Sequence, residues 1–317
     1  MGKLKFGIFL PFHLLQKSMQ PTQRFSLIRD IVLESEKQGY LSIWLDDHLM
    51  YNYWPILESW TTLSALASLT SKIRLGTMVS CNSHRNPALL AKMAATLDAI
   101  SNGRLEFGIG AGIQENEHVA YGLGFPKHSV RVERLGEALD VIKRLWIEEK
   151  ANYQGKHYNL KDAICEPKPL QKPYPPITVG GSSELLIKKV TASYADRFDW
   201  GLLPFEEYKR KLDLLENHCK MIGRDFGKIE KSCWPAGQII IAQNERELSE
   251  KISLFKPATV SLEEFKKTTL AGTSDDCIEE LHLYADLGVT YFMLFFADLP
   301  KLDGLKQFSE SVINKIS

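Results

Sequence analysis

Eight short apolar runs, each followed by a segment with helical spacing, constrain this chain more than any other feature. KFGIFLPF (5–12) is apolar on both faces, as a parallel strand covered on both sides must be. The helix-spaced stretch 25–40 follows it and stops at Gly39, a residue suited to a helix C-terminus. The alternation continues with strands at 41–48, 73–80, 104–112, 175–183, 198–204, 235–244 and 289–298. The helices between and after them fall at 58–72, 87–101, 131–146, 184–195, 206–223, 273–288 and 301–316. Eight such units predict a (β/α)8 TIM barrel as one domain over 1–317, with a doubly wound open sheet as the competing fold. Two stretches lie outside the alternation. Residues 152–161 read as a hairpin around Gly155. Residues 245–272, with Pro257, read as an insertion after strand seven, either a lid or a surface excursion.

Composition narrows the function classes. Lys and Arg together number 39 and so do Asp and Glu, so no net field draws the chain to nucleic acid or an anionic membrane. No apolar run approaches the roughly 18 residues of a membrane helix, and the N-terminus lacks a signal-peptide core. The five cysteines are widely spaced with no Cys-x-x-Cys, which predicts reduced thiols in a cytoplasmic protein.

In a barrel the site is built at the C-terminal ends of the strands. Strand two ends in Asp46-Asp47-His48, where an imidazole trades protons near neutrality and a neighbouring carboxylate can orient it. Strand three ends in Gly76-Thr77-Met78-Val79-Ser80, small enough for a flat ligand to approach, with Asn82 and His84 beyond. Strand four ends in Gly108-Ile109-Gly110-Ala111-Gly112, bare backbone followed by the polar cluster Gln114 to His118. The third glycine of a dinucleotide fingerprint is missing, because Ile113 stands there. Strand five ends in Gly180-Gly181-Ser182-Ser183 before a helix, either a phosphate site or an ordinary serine cap. Glu115, Glu117 and His118 are of metal-ligating type, but no HxH, HExxH or acidic triad accompanies them, and no metal is expected. No GxSxG or phosphate-loop motif occurs, which leaves a site for a large flat phosphorylated cofactor.

The strings WLDDH (44–48), ESWTTLSALASLTSKIRLGTMVS (58–80), NPALLAKMAATLDAISNGRLEFGIGAG (86–112), ENEHVAYG (115–122), TVGG (178–181) and GTSDDCIEELHLYADLGVTYFML (272–294) together resemble the bacterial luciferase-like flavin and deazaflavin oxidoreductases. Within them the chain is most similar to the branch that uses coenzyme F420, a 5-deazaflavin. The resemblance implies that Asp47, Thr77, Met78, Val79, Gly110, Ala111, Gly112, Gly180, Gly181 and Ser182 hold the cofactor. It implies a non-proline cis bond at Met78–Val79. It implies that His48, with Asp47 before it, is the catalytic proton donor or acceptor. Members with a second acid carry it directly after the strand-four glycines; Ile113 occupies that place here. Phe12, Met50, Tyr51, Trp54, Ile113 and Glu115 are the candidate walls of a substrate pocket, the apolar ones equally readable as packing.

The expected reaction is hydride transfer between deazaflavin C5 and a small alcohol, carbonyl or enone. The alternatives are FMN-dependent monooxygenation and, in another class, a non-catalytic flavin-binding protein. A metal-dependent barrel hydrolase is the weakest of the readings. The resemblance implies a homodimer through the helices at 58–72 and 87–101, whose Ala, Leu and Ser residues permit close packing.

Overall fold

The computed structural model describes residues 3–12, 18–51 and 54–316. Eight parallel strands close into a barrel: β1 (Lys5–Leu10), β2 (Ser42–Leu45), β3 (Arg74–Thr77), β4 (Leu105–Gly110), β5 (Ile177–Gly180), β6 (Arg197–Asp199), β7 (Glu230–Cys233) and β8 (Val289–Leu294). Each pairs with its sequence neighbours, and β8 returns to β1 with Lys5 opposite Tyr291. The barrel was legible in the alternating pattern.

Local chemistry starts the helices. Pro21 opens the helix Pro21–Lys37, and a Gln20/Gln23 capping box closes its free N–H groups. Gly39, at φ +81°, then turns the chain toward β2. Asn86 accepts the Ala88 N–H at 2.9 Å and Pro87 follows at the first helical position of Pro87–Ile100. Between the helix His128–Ile147 and β5, strands Ala151–Gln154 and Asn159–Ala163 form the expected antiparallel hairpin.

The seventh stave corrects the sequence reading. The expected strand at 235–244 exists as Gln238–Ile241, but it pairs with Thr269–Gly272 in a separate two-stranded parallel sheet. The stave itself is Glu-Lys-Ser-Cys, too polar to read as a buried strand. The polarity has a reason. Arg197 donates to Glu106 at 2.9 Å and to Glu230 at 2.8 Å, and its guanidinium lies 4.0 Å above the Tyr291 ring centroid. Arg74 bonds the other oxygen of Glu106, and Lys5 reaches Glu230 at 2.6 Å. An ion network thus runs between β4, β6 and β7, beside a cluster of Trp44, Tyr291 and Met293.

The insertion at 245–272 folds as helices Glu245–Phe255 and Leu262–Thr268 with the strand Thr269–Gly272. It has its own small core of Ile240, Ala242, Leu248 and Phe265. Ile239 ties the small sheet to the end of β8, donating to Phe295 O at 2.7 Å and accepting from Ala297 N at 3.0 Å.

Candidate active site

The C-terminal mouth of the barrel opens into a cavity of about 460 Å³, within the usual range for a small-molecule site. Its walls are the ends of β2, β4, β5 and β6, the segment after β3, and residues of the helices Glu115–Ala120 and His128–Ile147. No described residue of 245–272 lines it.

The floor comes from a bulge. β3 pairs with β4 at Gly76↔Glu106, and pairing resumes at Ser80↔Ile109, so β3 carries one extra residue across the gap. The bulge contains the Met78–Val79 bond, which is cis as the resemblance implied. Val79 fills the places where neighbouring side chains would stand. An added Cβ would lie 2.7 Å from a Val79 methyl at Gly110 and 2.6 Å from one at Gly180, and at Gly108 it would strike the Thr77 carbonyl oxygen. Bare backbone at the strand ends therefore serves the bulge first. Gly110 and Gly180, with Met78, Val79, Ala111, Gly112, Gly181 and Ser182, line the cavity there.

One end of the cavity is polar and proton-active. His48 Nδ1 lies 2.8 Å from Glu117 Oε2. Glu117 is 1% exposed, and its other oxygen lies 2.6 Å from His84 Nε2. Burial pushes the Glu117 carboxyl up, but the two imidazoles outweigh it and hold it down at about 2. An ionised carboxylate only accepts, so His48 Nδ1 carries the proton it donates, and Nε2 is left for chemistry. Burial opposes protonation of His48, yet Glu117 turns its shift upward; His84 is pushed up to about 9 against burial by Cys81 and Glu117.

Asp47 lines the cavity, but its carboxylate is already engaged. It receives Arg85 through both oxygens at 2.6 and 2.9 Å, the Cys81 N–H at 3.0 Å and the Ser59 hydroxyl at 3.2 Å. It anchors the turn after the bulge, and the carboxylate that orients His48 is Glu117. Sequence adjacency pointed to Asp47. Glu117 stood in the polar cluster without a mark to single it out, although its place three residues past the cavity-lining Gln114 was the available signal.

Other expected residues sort by position. Thr77 is buried and donates to Gly108 O at 2.9 Å, so it holds the bulge and does not line the cavity. Phe12 is buried in the core, its N–H on Asp46 at 2.9 Å, and is not a substrate wall. Glu115 is exposed outside the cavity, and Trp54, whose N–H reaches Tyr51 O at 2.9 Å, is also not among the lining residues. Neither are Met50 and Tyr51, though the Tyr51 ring lies 5.7 Å from that of His48. Ile113 does line it, at the rim, 81% exposed. Cys81, His84 and His118 bring ligand-type atoms within 4.8 Å of one another. His118 is already engaged, with Nδ1 on Gln114 O at 2.6 Å and Nε2 on Ser83 Oγ at 2.8 Å.

The far end suits a phosphate. Ser183 caps the helix that starts at Glu184, and His128 Nε2 meets the Ser183 hydroxyl at 2.9 Å. The Trp200 indole, also in the cavity lining, is buried against Phe198, 4.0 Å between ring centroids, and its Nε1 has no acceptor among the described residues. A flat ring with acceptors on its edge and an anionic tail fits all three features: the smooth floor, the orphaned indole donor and the helix start.

The chain resembles F420-dependent glucose-6-phosphate dehydrogenases. That of Kineococcus radiotolerans is 37% identical over 160 residues, 49% of this chain and 46% of that one. That of Amycolatopsis mediterranei is 25% identical over 324 residues, covering 91% and 94%. Among solved structures, an F420-dependent secondary alcohol dehydrogenase in complex with an F420-acetone adduct superimposes with a TM-score of 0.79 at 22% identity, covering 98% of both chains. The monooxygenase RslO1 from Streptomyces bottropensis gives 0.82 at 20%, covering 99% of this chain and all of the other. At these identities the solved structures establish the fold alone. A family model for luciferase-like monooxygenases matches residues 4–291, and the chain belongs to that family.

Proposed function

We propose that this protein is an F420-dependent oxidoreductase acting on a small neutral alcohol, carbonyl or enone. The observation that carries the reading is His48, held by a buried carboxylate through Nδ1, with no partner for Nε2 among the described residues, on the wall of a cavity floored by the Met78–Val79 bulge. The deazaflavin would supply a ring carbon that gives or takes a hydride. Gly110 to Gly112, Met78 and Val79 would support its ring, Trp200 Nε1 would meet an acceptor on its edge, and Ser182, Ser183 and His128 would face its phosphate. His48 Nε2 takes the proton from a substrate hydroxyl during oxidation and returns it during reduction. The barrel wall keeps water from the reacting carbon.

The cavity also speaks for a neutral substrate. Among the described residues lining it there is no Lys or Arg to receive a substrate phosphate, and position 113 carries an isoleucine in place of an acid. On this reading the chain departs from relatives named for glucose 6-phosphate. A panel of alcohols, aldehydes and enones, assayed anaerobically for change in deazaflavin absorbance, tests it; turnover on glucose 6-phosphate above all others would contradict it. The second reading, FMN-dependent monooxygenation, draws on the structural likeness to RslO1 and requires oxygen consumption with reduced FMN.

The same proposal includes a cytoplasmic homodimer. All five cysteines are buried and unpaired, and no helix among the described residues is long and apolar enough to cross a membrane. The helices Ser59–Leu69 and Pro87–Ile100 pack together and leave Leu69, Leu89 and Ile100 exposed. Light scattering at micromolar concentration should give twice the 36.0 kDa chain mass; a monomer there contradicts the dimer.

A further inference from the structure

We propose that His84 is a positioning residue that sets the proton affinity of His48 by sharing the charge of Glu117. The proposal rests on the reading of His48 as the group that moves the substrate proton. Its geometric basis is a buried row of three side chains. Glu117 Oε2 accepts from His48 Nδ1 at 2.8 Å, while Oε1 lies 2.6 Å from His84 Nε2 in an ion-pair contact outside hydrogen-bond geometry, and the His84 side chain is 1% exposed. Nothing in the chemistry at His48 Nε2 requires a second imidazole on the far oxygen.

Other groups face the pair. His84 Nδ1 stands 3.9 Å from Asp47 Oδ2, its ring lies 5.2 Å from that of His118, and Cys81 also adjoins it. Asp47 is paired with Arg85 through both oxygens, yet it still favours the charged form of both imidazoles, less than Glu117 does. His48 faces Glu117 directly, with Asp46, Asp47 and the Tyr51 ring around it. Glu117 is therefore the main negative charge common to both imidazoles. His84 and Glu117 are each held in their charged forms.

A carboxylate buried beside one imidazole favours imidazolium strongly. When a second imidazolium sits on the other oxygen, the two charges largely offset, and the first imidazole still loses its proton at moderate pH. His84 thus keeps Glu117 useful as an orienting acceptor without locking His48 in its protonated form.

The sign follows. In His84→Gln the amide still reaches Glu117 but brings no charge, so the His48 midpoint rises, by about one pH unit. In Glu117→Gln the negative charge is gone and the midpoint falls. The test is an NMR titration of the His48 ring in the full chain without cofactor, run beside the pH profile of turnover. A rise in His84→Gln and a fall in Glu117→Gln support the proposal. An unchanged midpoint in a folded His84→Gln protein overturns it. If that variant does not fold, a midpoint in Glu117→Gln that fails to fall overturns it. If the NMR midpoints move as stated but the turnover profile does not follow, the tuning stands and the catalytic reading of His48 falls.

Discussion

His48→Ala lowers turnover by about 10²–10⁴-fold, the usual contribution of a positioned acid–base group, and leaves cofactor affinity nearly unchanged. The expectation follows from what the side chain touches. His48 hydrogen-bonds Glu117 and has no part in the glycine floor or the phosphate end of the cavity. Glu117 keeps its contact with His84 when His48 is truncated, so the carboxylate is not stranded. The check is kcat with F420 and a substrate from the panel, set against the deazaflavin dissociation constant of the same variant. Loss of cofactor binding in step with turnover would contradict the acid–base role and assign His48 to cofactor contact.

The largest effect on stability belongs to Arg197. Arg197→Met should destabilise the fold by roughly 3–5 kcal/mol, because it leaves a buried carboxylate without its counter-ion. Glu106 is 2% exposed and holds Arg197 at 2.9 Å, and Glu230 takes the same guanidinium at 2.8 Å. Arg74 still reaches Glu106 from the barrel end, which keeps the loss from being larger. Chemical denaturation of the variant measures it. As a control, Arg246→Ala removes one of the exposed ion pairs, with Glu250, and should change stability by less than about 0.5 kcal/mol. A loss below about 1 kcal/mol in Arg197→Met would mean that the network is solvated and contributes little.

That network also explains which part of the fold was hard to read. Staves such as KFGIFL are apolar on both faces, and hydrophobic runs reveal them. Glu230–Cys233 is a stave because Glu230 meets Arg197 and Lys5, a partnership between residues distant in sequence. Gln238–Ile241 carries the stronger strand signal and does form a strand, in the small sheet beside the barrel. Periodicity reports burial and extension, and it does not say in which sheet a strand is placed.

The candidate site was legible in the same uneven way. His48 and the glycine-rich ends of β4 and β5 stood out, since strand ends in a barrel face the mouth. The partner of His48 did not. Asp47 is its sequence neighbour, but Arg85 and the Cys81 N–H occupy that carboxylate, and Glu117 arrives from a helix 69 residues away. The glycines were read as room for a ligand. The structure adds that Gly108, Gly110 and Gly180 are bare because Val79 and the Thr77 carbonyl already stand where their side chains would be. Thr77 and Phe12, picked for their positions, turn inward to hydrogen bonds and core.

The central claim is that the cavity is shaped for a deazaflavin. It is tested most directly by titrating the cofactor-free protein with F420 and with FMN side by side. The account predicts saturable, selective binding of F420. Selective binding of FMN would contradict it and place the protein with the oxygen-using members of its family, and binding of neither would show that the bulge and the bare strand ends do not serve a flavin-like ring.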